Sequence, residues 1–272
     1  MNAYRSSIVR IPVPGSASPL EVGGGSFVLI AGPCSVDRPE TFYECAESLK
    51  AQGAHALRGA IFKMRTKPDS FQGLGREGLE LLAEARRRTG LPVVTEVVDP
   101  RHLEELDPVV DVYQVGARNM YNYELLKELG LSKKPVLLKR GFTAYLDEWA
   151  HAAEYLLRAG NSNVILCERG IRGFDPHTRN VLDLASVPVI RARTGLPVIV
   201  DPSHGTGRKD LVDPMSIAAL AAGADGLLIE VHPRPEEALS DADQALTPGE
   251  FAALRRKIGR VRTALHAEED LA

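Results

Sequence analysis

Short apolar runs alternate with amphipathic segments along most of the chain after residue 26. The apolar runs are rich in β-branched side chains, which is typical of strands that are buried on both faces. They predict eight strands, at residues 27–31, 56–62, 92–97, 112–115, 135–138, 163–167, 197–200 and 226–229. Helical spacing of apolar residues predicts helices at 43–51, 77–88, 121–129, 147–158 and 214–222, and several of them end at a glycine.

The order of these elements predicts the fold. Strands that alternate with helices form a parallel sheet, and eight parallel strands close into a barrel. We therefore predict a single-domain (β/α)8 barrel over residues 26–272, in which apolar residues spaced from Phe251 to Leu265 form a last helix against the barrel wall. Residues 1–25 are rich in proline and glycine and predict a short irregular or hairpin-like N-terminal extension.

Polar residues whose side chains can take part in catalysis or ligand binding cluster where the predicted strands end. In residues 196–208, the apolar run stops at Pro202, and Asp201, Ser203, His204 and Arg208 lie around the break. Ligands bind at the carboxyl ends of strands in parallel α/β folds, because the loops there vary while the strands fix their bases. One such segment is equally compatible with a solvated loop, but the arrangement recurs after every predicted strand.

Basic residues form the larger group at these strand ends. They are Arg58, Lys63, Arg65, Arg118, Lys139, Arg140, Arg169 and Arg208. A single arginine of this kind is usually a surface residue paired with an acid. Together, at one barrel mouth, these cations would repel one another unless anions neutralised them, so the set predicts phosphate or carboxylate ligands.

A second group has metal-ligand side chains. Cys34 follows the first predicted strand, His204 the seventh and Glu230 the eighth, and Asp241 lies in the loop beyond. The first, seventh and eighth strands are neighbours in a closed barrel. A thiolate, an imidazole and carboxylates suit Mn, Fe, Co or Zn better than Mg or Ca. Because no short zinc-binding pattern is present, a buried cysteine and an unrelated histidine remain an equal alternative.

Composition limits the classes of binding partner that the chain can be expected to have. The net charge of −3 gives no reason to expect nucleic acid, and no apolar run is long enough for a membrane span. The three widely spaced cysteines do not form a disulfide framework, which favours a reducing cytoplasm.

A set of motifs occurs in order along the barrel. They are Gly32-Pro-Cys-Ser35, Leu57-Arg-Gly59, Lys63-Met-Arg-Thr66, Ser70-Phe-Gln-Gly-Leu-Gly75, Gly116-Ala-Arg-Asn119, Leu138-Lys-Arg-Gly141, Cys167-Glu-Arg-Gly170, Asp201-Pro-Ser-His204 and Ile229-Glu-Val-His232. This set resembles the type I 3-deoxy-D-arabino-heptulosonate 7-phosphate (DAHP) synthases. The closest likeness is to the compact subgroup related to 3-deoxy-D-manno-octulosonate 8-phosphate (KDO8P) synthases.

The resemblance implies a metal-dependent, aldol-like condensation of phosphoenolpyruvate with erythrose 4-phosphate, the first step of the shikimate pathway, in a homotetramer. By motif, Cys34, His204, Glu230 and Asp241 would hold one divalent metal. Phosphoenolpyruvate would be bound by Arg58, Lys63, Arg118, Lys139 and Arg169, and erythrose 4-phosphate by Arg65 and Thr66. Lys63, Glu168 and His204 are the candidate catalytic residues. Since neither end has room for a regulatory domain, we expect no feedback inhibition by aromatic amino acids.

The chain departs from the family pattern at one position, because Met64 replaces the proline usual between the lysine and the arginine. The missing restraint on φ bears on how the aldose is placed. A KDO8P synthase that uses arabinose 5-phosphate is the nearest alternative, although the single residue between Lys63 and Arg65 favours the four-carbon sugar. Two further alternatives are a Schiff-base aldolase acting through Lys139 and a non-catalytic phosphosugar-binding barrel.

Overall fold

The computed structural model describes residues 7–269, together with all their side chains except those of residues 266, 268 and 269. A two-stranded antiparallel hairpin comes first and eight parallel strands follow. The strands are β1 (Val9–Ile11), β2 (Leu20–Val22), β3 (Val28–Gly32), β4 (Ala56–Arg58), β5 (Val93–Glu96), β6 (Val112–Val115), β7 (Val136–Lys139), β8 (Val164–Glu168), β9 (Val198–Val200) and β10 (Gly226–Glu230). Strands β3 to β10 close into a barrel in chain order, with β10 paired to β3, which confirms the predicted (β/α)8 fold.

Helices follow the strands along the chain. They are α1 (Pro39–Ala51), α2 (Leu79–Thr89), α3 (Leu103–Leu106), α4 (Tyr123–Leu131), α5 (Leu146–Ala159), α6 (Ser186–Thr194), α7 (Pro202–Thr206), α8 (Lys209–Ala221) and α9 (Pro248–Glu269). Except for the short α7 at the carboxyl rim, they lie on the outside of the barrel. As predicted, α9 packs on the wall, through its buried residues Phe251, Leu254 and Ile258, but Leu265 at the end of the predicted apolar stripe is exposed. No helix within residues 7–269 is both long and apolar enough to cross a membrane.

Several predicted boundaries were wrong, and two of these errors have a clear physical cause. The strand predicted at 56–62 ends at Arg58, because the apolar residues after it carry the following loop: the Ile61 carbonyl accepts a hydrogen bond from Gly75 N–H. The helix predicted to begin at Pro214 begins at Lys209 and contains the proline. Proline is typical of a first helical turn, and for this reason the predicted start of the helix was placed at Pro214.

The apolar residues form two cores. One lies between the barrel and its helices. The other fills the barrel interior, where Val9, Ile11 and Val22 of the hairpin join side chains such as Val28 and Val112 at the beginnings of strands. The hairpin therefore closes the amino-terminal end of the barrel, and the opposite rim, which carries the strand carboxyl ends, is left for chemistry.

The register of β3 against β10 brings the metal-ligand side chains together. Gly32 lies beside Glu230 in the sheet, and the Glu230 carboxylate accepts a hydrogen bond from the Cys34 backbone N–H. Gly32 has a φ of 145°, and a Cβ here would lie 2.1 Å from the Arg58 carbonyl oxygen. Only glycine allows this close approach of the first and second barrel strands.

Candidate active site

The four predicted metal ligands lie together at the carboxyl rim. The Cys34 Sγ atom is 3.2 Å from His204 Nε2, and ligand atoms of Cys34, His204 and Asp241 all lie within 4.8 Å of one another. A Glu230 carboxylate oxygen is 3.7 Å from the same His204 Nε2. The closure of β3, β9 and β10 thus produces the convergence that the sequence predicted.

Asp201 fixes the orientation of the His204 ring. As the N-cap of α7 it accepts a hydrogen bond from His204 N–H at 2.9 Å, and its carboxylate also lies 2.9 Å from His204 Nδ1. A proton on Nδ1 leaves the lone pair of Nε2 directed at the cluster. Burial lowers the pKa of His204 to about 3, so the ring is neutral, which is the form that binds a metal.

Asp241 is held in an unusual backbone conformation. It is the only non-glycine residue with positive φ, at 59°, among the described residues. Its carboxylate lies 2.9 Å from an Arg179 guanidinium nitrogen and 2.8 Å from Gln244 Nε2. Burial acts to raise the pKa of Asp241, but the positive charges of Lys63 and Arg179 contribute to bringing it well below its usual range. A negatively charged oxygen is therefore held at the cluster at neutral pH.

The chemistry of the donor set fits a divalent cation. Burial and the neighbouring Asp241 charge raise the pKa of the Cys34 thiol to about 11, and burial raises the pKa of Glu230 to about 7. Burial outweighs the effect of the nearby Arg58 and Lys63 charges on both pKa values, and a bound divalent cation would favour the ionised forms of both groups. A thiolate, an imidazole and carboxylates together suit a borderline transition metal.

Three of the predicted substrate cations are neutralised within the protein. Arg58 lies 2.7 Å from Glu230, and Lys139 lies 2.7 Å from Asp201. Lys63 lies 3.3 Å from Glu96. Glu230 and Asp201 also contact His204, so two of these cations are linked directly to the candidate metal cluster.

Two other predicted substrate cations have no such partner. Among the side chains that the structure describes, no carboxylate lies within salt-bridge distance of Arg118 or Arg169. Burial lowers the pKa of both guanidinium groups, and Arg169 is only 3% exposed. A buried cation without a counter-ion is costly, so Arg169 indicates where an anionic ligand binds, and the exposed Arg118 lies over the same Phe142 ring.

The predicted aldose residues lie on the loop after β4, next to the guanidinium groups of Arg118 and Arg169 that lack a carboxylate partner among the described side chains. Arg65 Nε donates to the Phe71 carbonyl at 3.0 Å, and an Arg65 guanidinium nitrogen is 3.6 Å from Asp241. Arg118 Nε donates to Thr66 Oγ1 at 3.1 Å. The two predicted substrate subsites therefore adjoin one another, and both adjoin the metal-ligand cluster.

Three residues of the predicted strand-end set are engaged elsewhere. Arg208 is about half exposed and pairs with Asp210 on the surface. Arg140 pairs with Glu168 and Asp183, each at 2.9 Å. Glu168 is fully buried and also accepts a hydrogen bond from Gly170 N–H at 2.6 Å. The role of Glu168 as a proton carrier stays a prediction.

The variant Glu168→Gln tests that role. We expect it to destabilise the fold by about 3 kcal/mol, which is on the order of 10 °C in Tm, because the buried Arg140 loses one of its two carboxylates. If Glu168 only pairs with Arg140, the variant keeps the kcat–pH profile of the unchanged protein. Loss of one limb of that profile, measured by steady-state kinetics, would instead identify Glu168 as a proton carrier.

Sequence reasoning missed several supporting residues. Arg179 and Gln244, which hold Asp241, lie in a loop and in a short 3-10 helix, and no motif pointed to either of them. Asp201 was noted only as a strand-end acid, although an aspartate three residues before a histidine, at a helix start, is an N-cap signal. The Phe142 ring, which lies against Arg169, carried no polar signal at all.

Comparison with known proteins decides the family. The sequence profile of the DAHP synthetase I family matches residues 12–267. The chain belongs to this family. The match confirms the predicted family, and with it the predicted DAHP synthase class of enzyme.

Individual relatives agree with the family assignment. A phospho-2-dehydro-3-deoxyheptonate aldolase of Thermotoga maritima is 48% identical over 246 residues, which are 90% of this chain and 73% of that protein. A 2-dehydro-3-deoxyphosphooctonate aldolase of a Geobacter species is 33% identical over 261 residues, covering 88% of this chain and 93% of that protein. The DAHP synthase reading is thus better supported than the KDO8P alternative.

Solved structures show the same fold. The crystal structure of the DAHP synthase of Thermotoga maritima superposes with a TM-score of 0.89 at 46% identity, covering 96% of this chain and 75% of that one. A truncated form of the synthase from the same organism gives a TM-score of 0.86 at 42% identity, with 96% and 94% covered.

Proposed function

We propose that this site condenses phosphoenolpyruvate with erythrose 4-phosphate and water to give DAHP and inorganic phosphate. One observation carries the proposal beyond family membership: a cluster of metal-ligand side chains shares the rim with the buried Arg169 guanidinium, which has no counter-ion among the described residues. The reaction requires both, because its two substrates are multiply anionic and its electrophile is an aldehyde.

The cations of the rim would bind phosphoenolpyruvate through its carboxylate and phosphate. Arg169 and Arg118 are free to form paired hydrogen bonds with an anion, while Arg58, Lys63 and Lys139 are already ordered by carboxylates. Side chains that are fixed before the substrate arrives lose little entropy on binding. Much of the rate gain should therefore come from holding C3 of phosphoenolpyruvate against the aldehyde carbon.

Cys34, His204, Glu230 and Asp241 would hold one divalent metal of the Mn, Fe, Co or Zn class. When bound there, such an ion supplies Lewis acidity to an aldehyde oxygen. The chain's own residues prepare the ligands: Asp201 sets the His204 tautomer, and Arg179 holds Asp241 in place.

Lys63 is the proposed proton carrier. Burial acts against its protonation, but the Cys34 and Glu96 side chains raise the pKa of Lys63 above its ordinary value. Its ammonium lies between the Glu96 carboxylate and the Cys34 carbonyl, at 3.3 Å and 3.4 Å. We propose that Lys63 Nζ donates to the aldehyde oxygen as the C3–C1 bond forms. Water then adds at C2 and loses one proton, which replaces the proton donated by Lys63. Cleavage of the bond between C2 and the phosphate oxygen leaves the C2 carbonyl and releases inorganic phosphate with the other proton.

Phosphate release from the purified protein tests this function. With phosphoenolpyruvate and added Mn²⁺, Co²⁺ or Zn²⁺, we expect turnover with erythrose 4-phosphate and a kcat/KM at least about tenfold lower with arabinose 5-phosphate, since a chain one carbon longer must fit the same loop. A chelator should stop the reaction, and added metal should restore it. Preference for arabinose 5-phosphate would overturn the aldose assignment. Activity that survives chelation and is lost on borohydride treatment would instead support a Schiff base at Lys139.

We also propose a homotetramer located in the cytoplasm. The family resemblance supports the tetramer, and three cysteines that are all buried and free suit a reducing compartment. Light scattering on the metal-loaded protein tests the assembly, and a monomer at micromolar concentration would contradict it.

A further inference from the structure

Three arginine side chains surround the ring of Phe142, in the loop between β7 and α5. The guanidinium carbons of Arg169, Arg118 and Arg172 lie 4.6, 5.1 and 5.3 Å from the ring centroid. They come from the ends of two different strands, since Arg118 follows β6 while Arg169 and Arg172 follow β8. One aromatic ring therefore collects three positive charges that the fold brings to the same part of the rim.

These arginines differ from the other cations around the cluster. Arg58, Lys63, Lys139, Arg140 and Arg179 each lie within salt-bridge distance of a carboxylate. In the part of the chain that the structure describes, none of the three arginines on Phe142 does. Arg169 is nine-tenths or more buried, and its guanidinium makes one long hydrogen bond, 3.4 Å, to the carbonyl of the adjacent Gly170.

Phe142 also fixes the backbone next to Arg172. The carbonyl of Phe142 accepts a hydrogen bond from Arg172 N–H at 2.7 Å. The loops after β7 and β8 are therefore joined at this residue by both ring and main chain. Arg172 itself is exposed and is absent from the substrate residues implied by the motifs.

We propose that Phe142 is a positioning residue, and that the Arg172 guanidinium is a third group, beside those of Arg118 and Arg169, that binds the phosphate of phosphoenolpyruvate. This inference rests on the proposed function. The electron-rich face of an aromatic ring attracts guanidinium groups, which offsets their mutual repulsion and leaves their N–H edges free. A phosphate monoester offers three terminal oxygens to three such groups, whereas a carboxylate offers two.

The location favours phosphoenolpyruvate over the aldose. Arg118 Nε is already engaged by Thr66 Oγ1, on the side of the proposed aldose subsite. Arg169 and Arg172 extend from the other side, after β8. The exposed Arg172 would then be the outermost contact of the phosphate, which leaves as inorganic phosphate after the condensation.

Kinetics and direct binding test the proposal with three variants: Phe142→Leu, Phe142→Tyr and Arg172→Gln. The first and third should raise KM for phosphoenolpyruvate about tenfold and change KM for erythrose 4-phosphate by less than about twofold, as expected for one lost cation–π or charged contact. The constant for product inhibition by inorganic phosphate should rise in parallel. Phe142→Tyr keeps the ring and should behave like the unchanged protein.

Calorimetric titration of each variant with phosphoenolpyruvate alone gives a readout that does not need turnover. Arg158→Gln, which removes an exposed arginine far along α5, is the matched control and should leave all constants unchanged. Unaltered phosphoenolpyruvate binding in both Phe142→Leu and Arg172→Gln would overturn the inference, as would an effect on the aldose KM alone. Absence of turnover in the unchanged protein would overturn the proposed function instead, and the titrations would still decide the role of the three arginines.

Discussion

Cys34→Ser is expected to lower kcat by about a thousandfold, equivalent to about 4 kcal/mol of transition-state stabilisation, when assayed at a fixed low concentration of metal. The Cys34 Sγ atom lies 3.2 Å from His204 Nε2, at the centre of the proposed ligand set. A serine hydroxyl keeps the volume nearly constant but is a far poorer ligand for a borderline transition metal than a thiolate.

A spectroscopic measurement separates metal binding from turnover. Titration with Co²⁺ should give a thiolate-to-cobalt charge-transfer band in the unchanged protein and none in Cys34→Ser. Cys45→Ala is the matched control, because it removes another fully buried thiol, on α1, whose nearest polar partner is the Val231 carbonyl. An unchanged band, or full activity in Cys34→Ser, would show that the thiol is not a ligand.

The strand positions could be predicted because a parallel barrel imposes a simple pattern on the sequence. Each strand is buried on both faces, so it appears as an apolar run that ends at a polar loop. The pattern failed at residues 59–62, where apolar side chains such as Ile61 are buried beneath a loop rather than in the sheet. Burial alone does not distinguish those two environments.

The convergence of the site residues could also be predicted, because closure of the barrel brings every strand end to one rim. The balance between positive and negative side chains at that rim could not be predicted. The sequence suggested that substrates must neutralise nearly all of the cations, whereas the structure neutralises Arg58, Lys63 and Lys139 with internal carboxylates. These pairings depend on side chains from different strands.

Loop conformation limited the prediction in the same way. Asp241 reaches His204 because its backbone adopts a positive φ and Arg179 holds its carboxylate. Neither feature can be recognised from the local sequence. The Phe142 ring is a similar case, because an apolar residue in a loop is interpreted as a packing residue until the guanidinium groups around it are located. Such contacts join segments that are distant in sequence.

Lys63→Met is expected to reduce kcat by about a thousandfold and to raise KM for phosphoenolpyruvate, since it removes both the proposed proton donor and a substrate cation. Methionine matches the length of lysine without its charge. The Glu96 side chain is 7% exposed, and in the described part of the chain the change leaves it Gln114 Nε2, at 3.3 Å, as its one side-chain hydrogen-bond donor. A buried carboxylate that has lost its cation destabilises the fold, so lost activity by itself would be ambiguous.

A double variant resolves that ambiguity. Glu96→Gln combined with Lys63→Met removes both charges of the pair, and should recover most of the Tm lost in the single variant without recovering kcat. Lys127→Met, on the exposed face of α4, controls for loss of a lysine and should retain full activity. If the double variant regained kcat along with Tm, Lys63 would act only by stabilising the rim, and proton donation to the aldehyde would have to be assigned to another group.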